Sequence, residues 1–308
     1  YLSAAIQMVN EFLPGDKLIV YTQGRRARRE EYKSDGRGSY QKIPLIVLID
    51  ETTASAAEIF SGAIQDNDRG IIVGRRSFGK GLVQQPIEFS DGSLIHLTIA
   101  RYYTPSGRCI QKPYVKGQPK EYEMDLVARY ERGEFFSQDS IHQTGEKYHT
   151  SIGRTVYGGG GIMPDYFVAE DTTAITPYYT ECVTKGTIAQ FCYEYTDNNR
   201  PELSKMNNAA EMEKYLRKMS VMDQFIRYAD SKGIVRRNIM ILKSKNLFEK
   251  AVYGSIIYNM LEMNDYIQFM NYKDPTINKA VELFNAKLTK PTLNGKTTNK
   301  KSYKTKKK

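Results

Sequence analysis

The sequence contains no run approaching the roughly 20 consecutive apolar residues that a membrane-spanning helix needs. It starts with Tyr1 inside an amphipathic pattern, not with Met ahead of a basic and apolar leader, so it reads as a piece of a longer protein whose targeting segment cannot be judged. Cysteine is scarce. Cys109, Cys182 and Cys192 have neither zinc-ligand spacing nor the density of a disulfide scaffold, which leaves no metal site to expect. Cys182 and Cys192 read equally well as a disulfide of an exported protein and as two buried thiols. Histidine is limited to His96, His142 and His149. His96 alternates with Leu and Ile as a sheet residue would, and the other two lie in weakly patterned sequence, so none is well placed as a base.

What is present is a chain of 308 residues, 40% hydrophobic and 26% charged, enough for one large core or two ordinary ones. The net charge of +10 suggests an acidic partner until its location is considered. Nine lysines and no acidic residue lie between Lys287 and Lys308, and setting them aside leaves +1. A lysine run among Thr, Asn, Ser and Gly cannot bury enough surface to fold, so residues 291–308 are expected to be a disordered, solvated tail and not a nucleic-acid arm.

Apolar residues Leu2, Ala5, Ile6, Val9 and Leu13 predict a helix ended by Pro14-Gly15, followed by a strand at Leu18–Tyr21. Arg25–Arg37 reads as a polar surface loop, and Leu45–Ile49 as a strand buried on both faces. Ala54–Gln65 predicts a helix and Ile71–Val73 a short strand, so a parallel α/β core is expected. Leu82–Phe89 and Leu94–Tyr103 form an antiparallel pair around the turn Ser90-Asp91-Gly92. Residues 112–157 read as an insertion, after which Gly158–Gly161 leads back to a short strand near Phe167. The expected organisation is a core over 1–170, a helical extension over 171–290 and the tail. The extension carries one stripe of Tyr215, Leu216, Met219, Met222, Phe225 and Ile226, a second of Leu247, Ala251, Ile256, Tyr258 and Leu261, and a last one of Ile277, Val281 and Phe284.

Ser55 follows a buried strand and the turn Asp50-Glu51-Thr52-Thr53 and opens a helix, the setting of a nucleophile elbow. The free amide of Ala56 in the first helical turn suits an oxyanion. Taken alone, Ser55 reads more readily as a plain helix cap, since Ser and Thr are the ordinary capping residues. A lysine serves as its base only when it sheds a proton whose ordinary pKa is about 10.4, which burial or a positive neighbourhood allows. Lys80, between Gly79 and Gly81 and two residues after Phe78, fits that need best. Gly74–Lys80 also matches the first seven positions of a phosphate-binding loop, but the eighth is Gly81 where a Ser or Thr is required, and a strand follows where a helix is required.

Six ordered blocks over residues 45–168 together resemble the C-terminal processing (tail-specific) peptidase family. They are Thr53–Ile59 with Gly62–Asp66, Ser77–Gly81, Val83-Gln84, Asp91-Gly92, Ala100–Arg108 and Gly161–Asp165. The separation between Ser55 and Lys80 is also that family's serine-to-lysine spacing. The resemblance implies a crotonase-like α/β core with an appended helical region, and a serine endopeptidase that cleaves polypeptides near their C-termini. It implies Ser55 as nucleophile, Lys80 as general base, Gln84 as the residue orienting the lysine, no cofactor, and an exported, periplasmic location. The family often adds a PDZ domain, absent here, and a Gly-Gly strand ahead of Tyr1 that completes the oxyanion hole, so these residues alone are expected to be nearly inactive. Thr52 and Ala57 depart from the family's usual Gly and Ser. The helical extension resembles those of bacterial members and suits packing, substrate walls or contact with a second copy. The opposed expectation is a non-catalytic, peptide-binding relative of the same fold.

Overall fold

A computed structural model describes residues 1–142 and 145–293, so the expected disordered tail lies almost wholly outside the described residues. The chain divides into two compact units, residues 1–169 with 278 onward, and residues 170–277.

In the first unit, α1 (Leu2–Asn10) and α2 (Ala56–Asp66) pack together over two sheets. The predicted parallel core is a three-stranded parallel sheet, β3 (Ile46–Ile49), β4 (Ile71–Gly74) and β9 (Tyr166–Phe167), in that order. Four other strands, β1 (Leu18–Gln23), β2 (Glu30–Lys33), β5 (Leu82–Glu88) and β6 (Leu94–Tyr103), make an antiparallel sheet ordered β2-β1-β6-β5. The predicted hairpin of β5 and β6 is present, with Gly92 at φ 82° in its turn. The strand expected at Leu18 is present and belongs to the antiparallel sheet. Two expectations need correction. The basic loop contains β2, whose polar side chains face solvent and so leave no alternation to read. The run at Leu45 is not buried on both faces, because β3 is an edge strand and Leu48 is 41% exposed.

The core beneath α1 and α2 gathers Val9, Leu13, Ile19, Ile59, Ile64, Ile72 and Tyr102. Asp50 shapes the turn that delivers the chain from β3 to α2: its Oδ1 accepts from the amides of Thr52 at 2.9 Å and Thr53 at 3.0 Å. The 112–157 segment contributes α3 (Pro119–Glu123), α4 (Asp125–Glu131) and a two-stranded ribbon, β7 (Lys147–His149) with β8 (Thr155–Tyr157).

The second unit holds α5 (Pro177–Thr184), α6 (Thr187–Leu203), α7 (Ala209–Lys218), α8 (Val221–Ser231), α9 (Asn238–Lys243), α10 (Lys245–Met260) and α11 (Met263–Asn271). A last helix, α12 (Pro275–Asn285), contributes Leu283 to the first unit, against Ile71 and Val73. The predicted stripes are helical, but their phases differ. The stripe from Tyr215 to Ile226 spans two helices, broken where Ser220 takes a left-handed φ of 49°. On α10 the buried face is Phe248, Val252, Tyr253, Ile256 and Ile257, leaving Tyr258 55% exposed. On α12 it is Ala280 and Leu283, whereas Val281 and Phe284 are exposed. α10 is apolar around most of its circumference, so spacing alone cannot say which face is inside. Among the described residues no helix is long and apolar enough to cross a membrane.

Cys182 and Cys192 are free thiols inside this helical core. Burial pushes Cys182 up to about 11 and Cys192 up to about 12. Both hold their protons more tightly folded than unfolded, so they favour folding below the ordinary thiol value of 9.0, and that contribution is lost as pH rises through the raised values. Neither thiol is expected to react with an aromatic disulfide reagent at pH 8 until denaturant is added. Rapid reaction of both in the native protein would contradict this packing.

Candidate active site

Ser55 precedes α2 at φ 58° and ψ −118°, a backbone conformation that non-glycine residues rarely adopt and that costs on the order of 1–3 kcal/mol. Such strain persists only where the surroundings enforce it. The main enforcer is Glu58, one turn into α2 and fully buried. Its Oε2 accepts from the Ser55 amide at 2.9 Å and the Lys80 amide at 2.8 Å. Its Oε1 accepts from the Gly79 amide at 2.7 Å and from Ser77 Oγ at 2.5 Å. One carboxylate therefore binds the backbone at Ser55 to the loop that carries Lys80. Burial pushes the Glu58 carboxyl above its ordinary range, while these four hydrogen bonds pull it down.

Tyr102, on β6, ties the same two residues from their carbonyl side. Its hydroxyl can donate to Ser55 O at 3.0 Å or to Lys80 O. Burial, with the Glu58 charge nearby, raises its pKa well above the ordinary phenol value, so it remains a donor. Tyr102→Phe leaves those carbonyls without it and is expected to cost about 1–3 kcal/mol in the stability of this unit, read from the urea midpoint.

The loop from Ser77 to Gly81 uses all its amides inside the protein. Ser77 donates to Ile162 O, Phe78 to Thr53 O, Gly79 and Lys80 to Glu58, and Gly81 to Gln111 Oε1. No amide of this stretch remains to cradle a phosphate, and β5 follows it, so the phosphate-loop match is coincidental. Gly74 has its own reason: at φ 130°, a Cβ there would meet Ile49 O at 1.9 Å across the parallel pair.

Ser55, Ala56, Lys80, Gln84 and His96 line one cleft of about 260 Å³, walled by Leu2, Ile59, Leu82, Val83 and Tyr102. Ala56 opens α2, where the first amides have no intrahelical carbonyl. Ser55 and Lys80 are half-buried, and no hydrogen bond joins their side chains among the described residues. Sequence reasoning set His96 aside, yet it opens onto this cleft: it pairs with Pro86 on β5, two positions from Thr98, the partner of Gln84. Glu58 and Tyr102 were missed in their roles, although both lie within quoted blocks. Among the described residues, no group of three or more His, Cys, Asp and Glu could hold a metal.

The remaining blocks build the scaffold. Arg108, fully buried, donates through Nη2 to Gln65 Oε1 and Asp66 Oδ1, both at 2.8 Å. Asp66 Oδ2 accepts from Ser106 Oγ at 2.6 Å, which fixes the turn after β6 against the end of α2. Asp165 accepts from the Ile72 amide at 2.8 Å and from Gln65 Nε2 at 3.1 Å, joining α2, β4 and β9.

Residues 1–119 match peptidase family S41, and residues 178–262 match a family of unknown function, DUF8443. A carboxyl-terminal-processing protease of Synechocystis sp. is 43% identical over 111 residues, which is 36% of this chain and 26% of that protein. The carboxy-terminal processing protease CtpA of Bacillus subtilis is 32% identical over 145 residues, 47% of this chain and 30% of that protein. A solved photosystem II D1 C-terminal processing protease is 37% identical over 36% of this chain and 28% of its own, with a TM-score of 0.34. The chain thus spans between a quarter and a third of the curated relatives it matches here.

Proposed function

We propose, from the premise that residues 1–119 match peptidase family S41 and resemble C-terminal processing proteases, that this chain is a serine endopeptidase working through a Ser55–Lys80 dyad. The observation that carries the reading is the binding of the Ser55 and Lys80 backbones to one buried carboxylate, with both side chains on the same cleft. The mixed α/β unit is a crotonase-like core in this reading, and the helical region is an appendage to it.

The Lys80 amine takes the Ser55 proton as Ser55 Oγ attacks a peptide carbonyl, and the Ala56 amide donates to the oxyanion. Collapse of the tetrahedral adduct breaks the peptide C–N bond, and protonated Lys80 gives its proton to the leaving amine. Water then repeats the sequence on the acyl-enzyme, releasing the acid and restoring Ser55. Gln84, on β5 beside the cleft, orients the lysine.

The substrate is a polypeptide in extended form, cut near its C-terminus. β5 is the outer strand of its sheet, and Leu82, Val83 and Gln84 line the cleft, which suits a substrate added as a further strand. Backbone pairing of that kind explains loose side-chain selectivity. A periplasmic or cell-envelope location accompanies this reading.

The test is incubation of the full-length protein with an unfolded polypeptide in the presence of a chelator, with product termini read by mass spectrometry. New termini close to the substrate's C-terminus are expected, and Ser55→Ala should abolish them. Capture of intact polypeptide with no new termini would instead establish a non-catalytic binding protein.

A further inference from the structure

We propose that Arg129, in the 112–157 segment, is a positioning residue for Lys80; the inference rests on the assignment of Lys80 as base. The loop before Lys80 directs its amides into the core, as described above. Its carbonyls turn the other way, and the 112–157 segment receives them. Arg129 on α4 is only 1% exposed. Its Nη1 donates to Ser77 O at 3.0 Å and its Nη2 to Arg76 O at 2.7 Å. The guanidinium fork thus grips two successive carbonyls, which a single ammonium cannot do with the same geometry.

The grip is itself held. Glu134 Oε2 lies 3.4 Å from Arg129 Nε and 2.7 Å from Arg76 Nη2, so the carboxylate closes a ring between the clamp and the loop. A second anchor stands beside it. The Lys112 amide donates to Gly79 O at 2.9 Å, and its ammonium sits 3.9 Å from the Phe78 ring centroid and 4.1 Å from that of Tyr122. Between them, Arg129 and Lys112 bond the carbonyls of Arg76, Ser77 and Gly79, while Glu58 holds the amides of Gly79 and Lys80. The path of the backbone into Lys80 is thereby fixed from both sides. The Glu58 side comes from the helix behind Ser55, and the other comes from a segment that carries no group lining the cleft.

Loss of the clamp should slow the proton transfer without emptying the cleft. In the full-length protein, Arg129→Met is expected to lower the maximal rate constant for acylation by a fluorophosphonate at least tenfold. The half-saturating probe concentration should stay within twofold, and every molecule should still be labelled at completion. Arg129→Lys should fall between the two. Damage to folding alone would reduce the labelled fraction and leave the rate constant of the remainder unchanged, which would overturn the proposal. Hydrogen exchange supplies an arm that does not need activity: the amides of Gly79 and Lys80 should exchange at least tenfold faster in Arg129→Met. Should that variant fail to fold, Glu134→Gln keeps the volume and the guanidinium and should show a smaller change of the same kind. If the unmodified protein does not acylate, the Ser–Lys reading fails, and the exchange arm then decides the clamp by itself. Unchanged exchange at Gly79 and Lys80, or an unchanged acylation rate constant despite faster exchange, overturns it.

Discussion

Lys80→Arg is expected to acylate about 10²–10⁴-fold more slowly than the unmodified full-length protein, and Ser55→Ala, which lacks the acylated oxygen, not at all, while both unfold as cooperatively. If Lys80 supplied only positive charge, arginine would retain much of the function, being cationic and of similar reach. A general base must release its proton, and guanidinium keeps its own at any pH the protein survives. Gln84→Ala should be impaired more mildly, because it leaves the base in place and removes only its orientation. Single-turnover acylation, with circular dichroism as the folding control, measures all three. Acylation by the arginine variant near the unmodified rate would remove Lys80 as base and make His96, which opens onto the same cleft, the next candidate.

The second large effect is expected at Glu58. Replacement by Ala leaves four donors, the amides of Ser55, Gly79 and Lys80 and the hydroxyl of Ser77, without the carboxylate that accepts from them. Each orphaned donor costs about 1–3 kcal/mol, and because the four share one network the total is less than their sum, roughly 3–5 kcal/mol. Urea unfolding gives the loss directly. The strained backbone at Ser55 should relax at the same time, so acylation should fall further than stability alone explains. Glu58→Gln separates the charge from the shape. Burial raises the Glu58 carboxyl in the folded protein, so the fold binds that proton more tightly than the unfolded chain does. Its contribution is fully present below the unfolded value near 4.5 and is lost as pH rises through the raised folded value. Glu58→Gln should flatten the fall in stability across that window; an unchanged pH dependence would show that another group titrates there.

The parts of the site that were legible in the sequence are local ones. A strand, a turn and a helix within about a dozen residues place Ser55, and two glycines around a lysine mark the loop of Lys80. The parts that were not legible depend on long-range register. Glu58 lies three residues after Ser55 and reads from sequence as one more helix residue; its role appears only once the loop from Ser77 to Lys80 folds over it. His96 sits between Ile95 and Leu97 and looks like a sheet residue, but the pairing of β5 with β6 puts it on the cleft side with Gln84. Arg129 lies in sequence with weak periodicity, where nothing marks a buried cation. The fold follows the same division. The hairpin of β5 and β6 announced itself through Asp91-Gly92, whereas β2 is a polar edge strand and the buried face of α10 is one of several apolar faces.

The central claim, that Ser55 is a nucleophile activated by Lys80, is tested most directly by reacting the full-length protein with an acylating probe and mapping the adduct by mass spectrometry. The account predicts one adduct, on Ser55, absent from Ser55→Ala and from Lys80→Arg under the same conditions. An adduct on another residue, or one that forms on Ser55 near the unmodified rate when Lys80 is arginine, would contradict it.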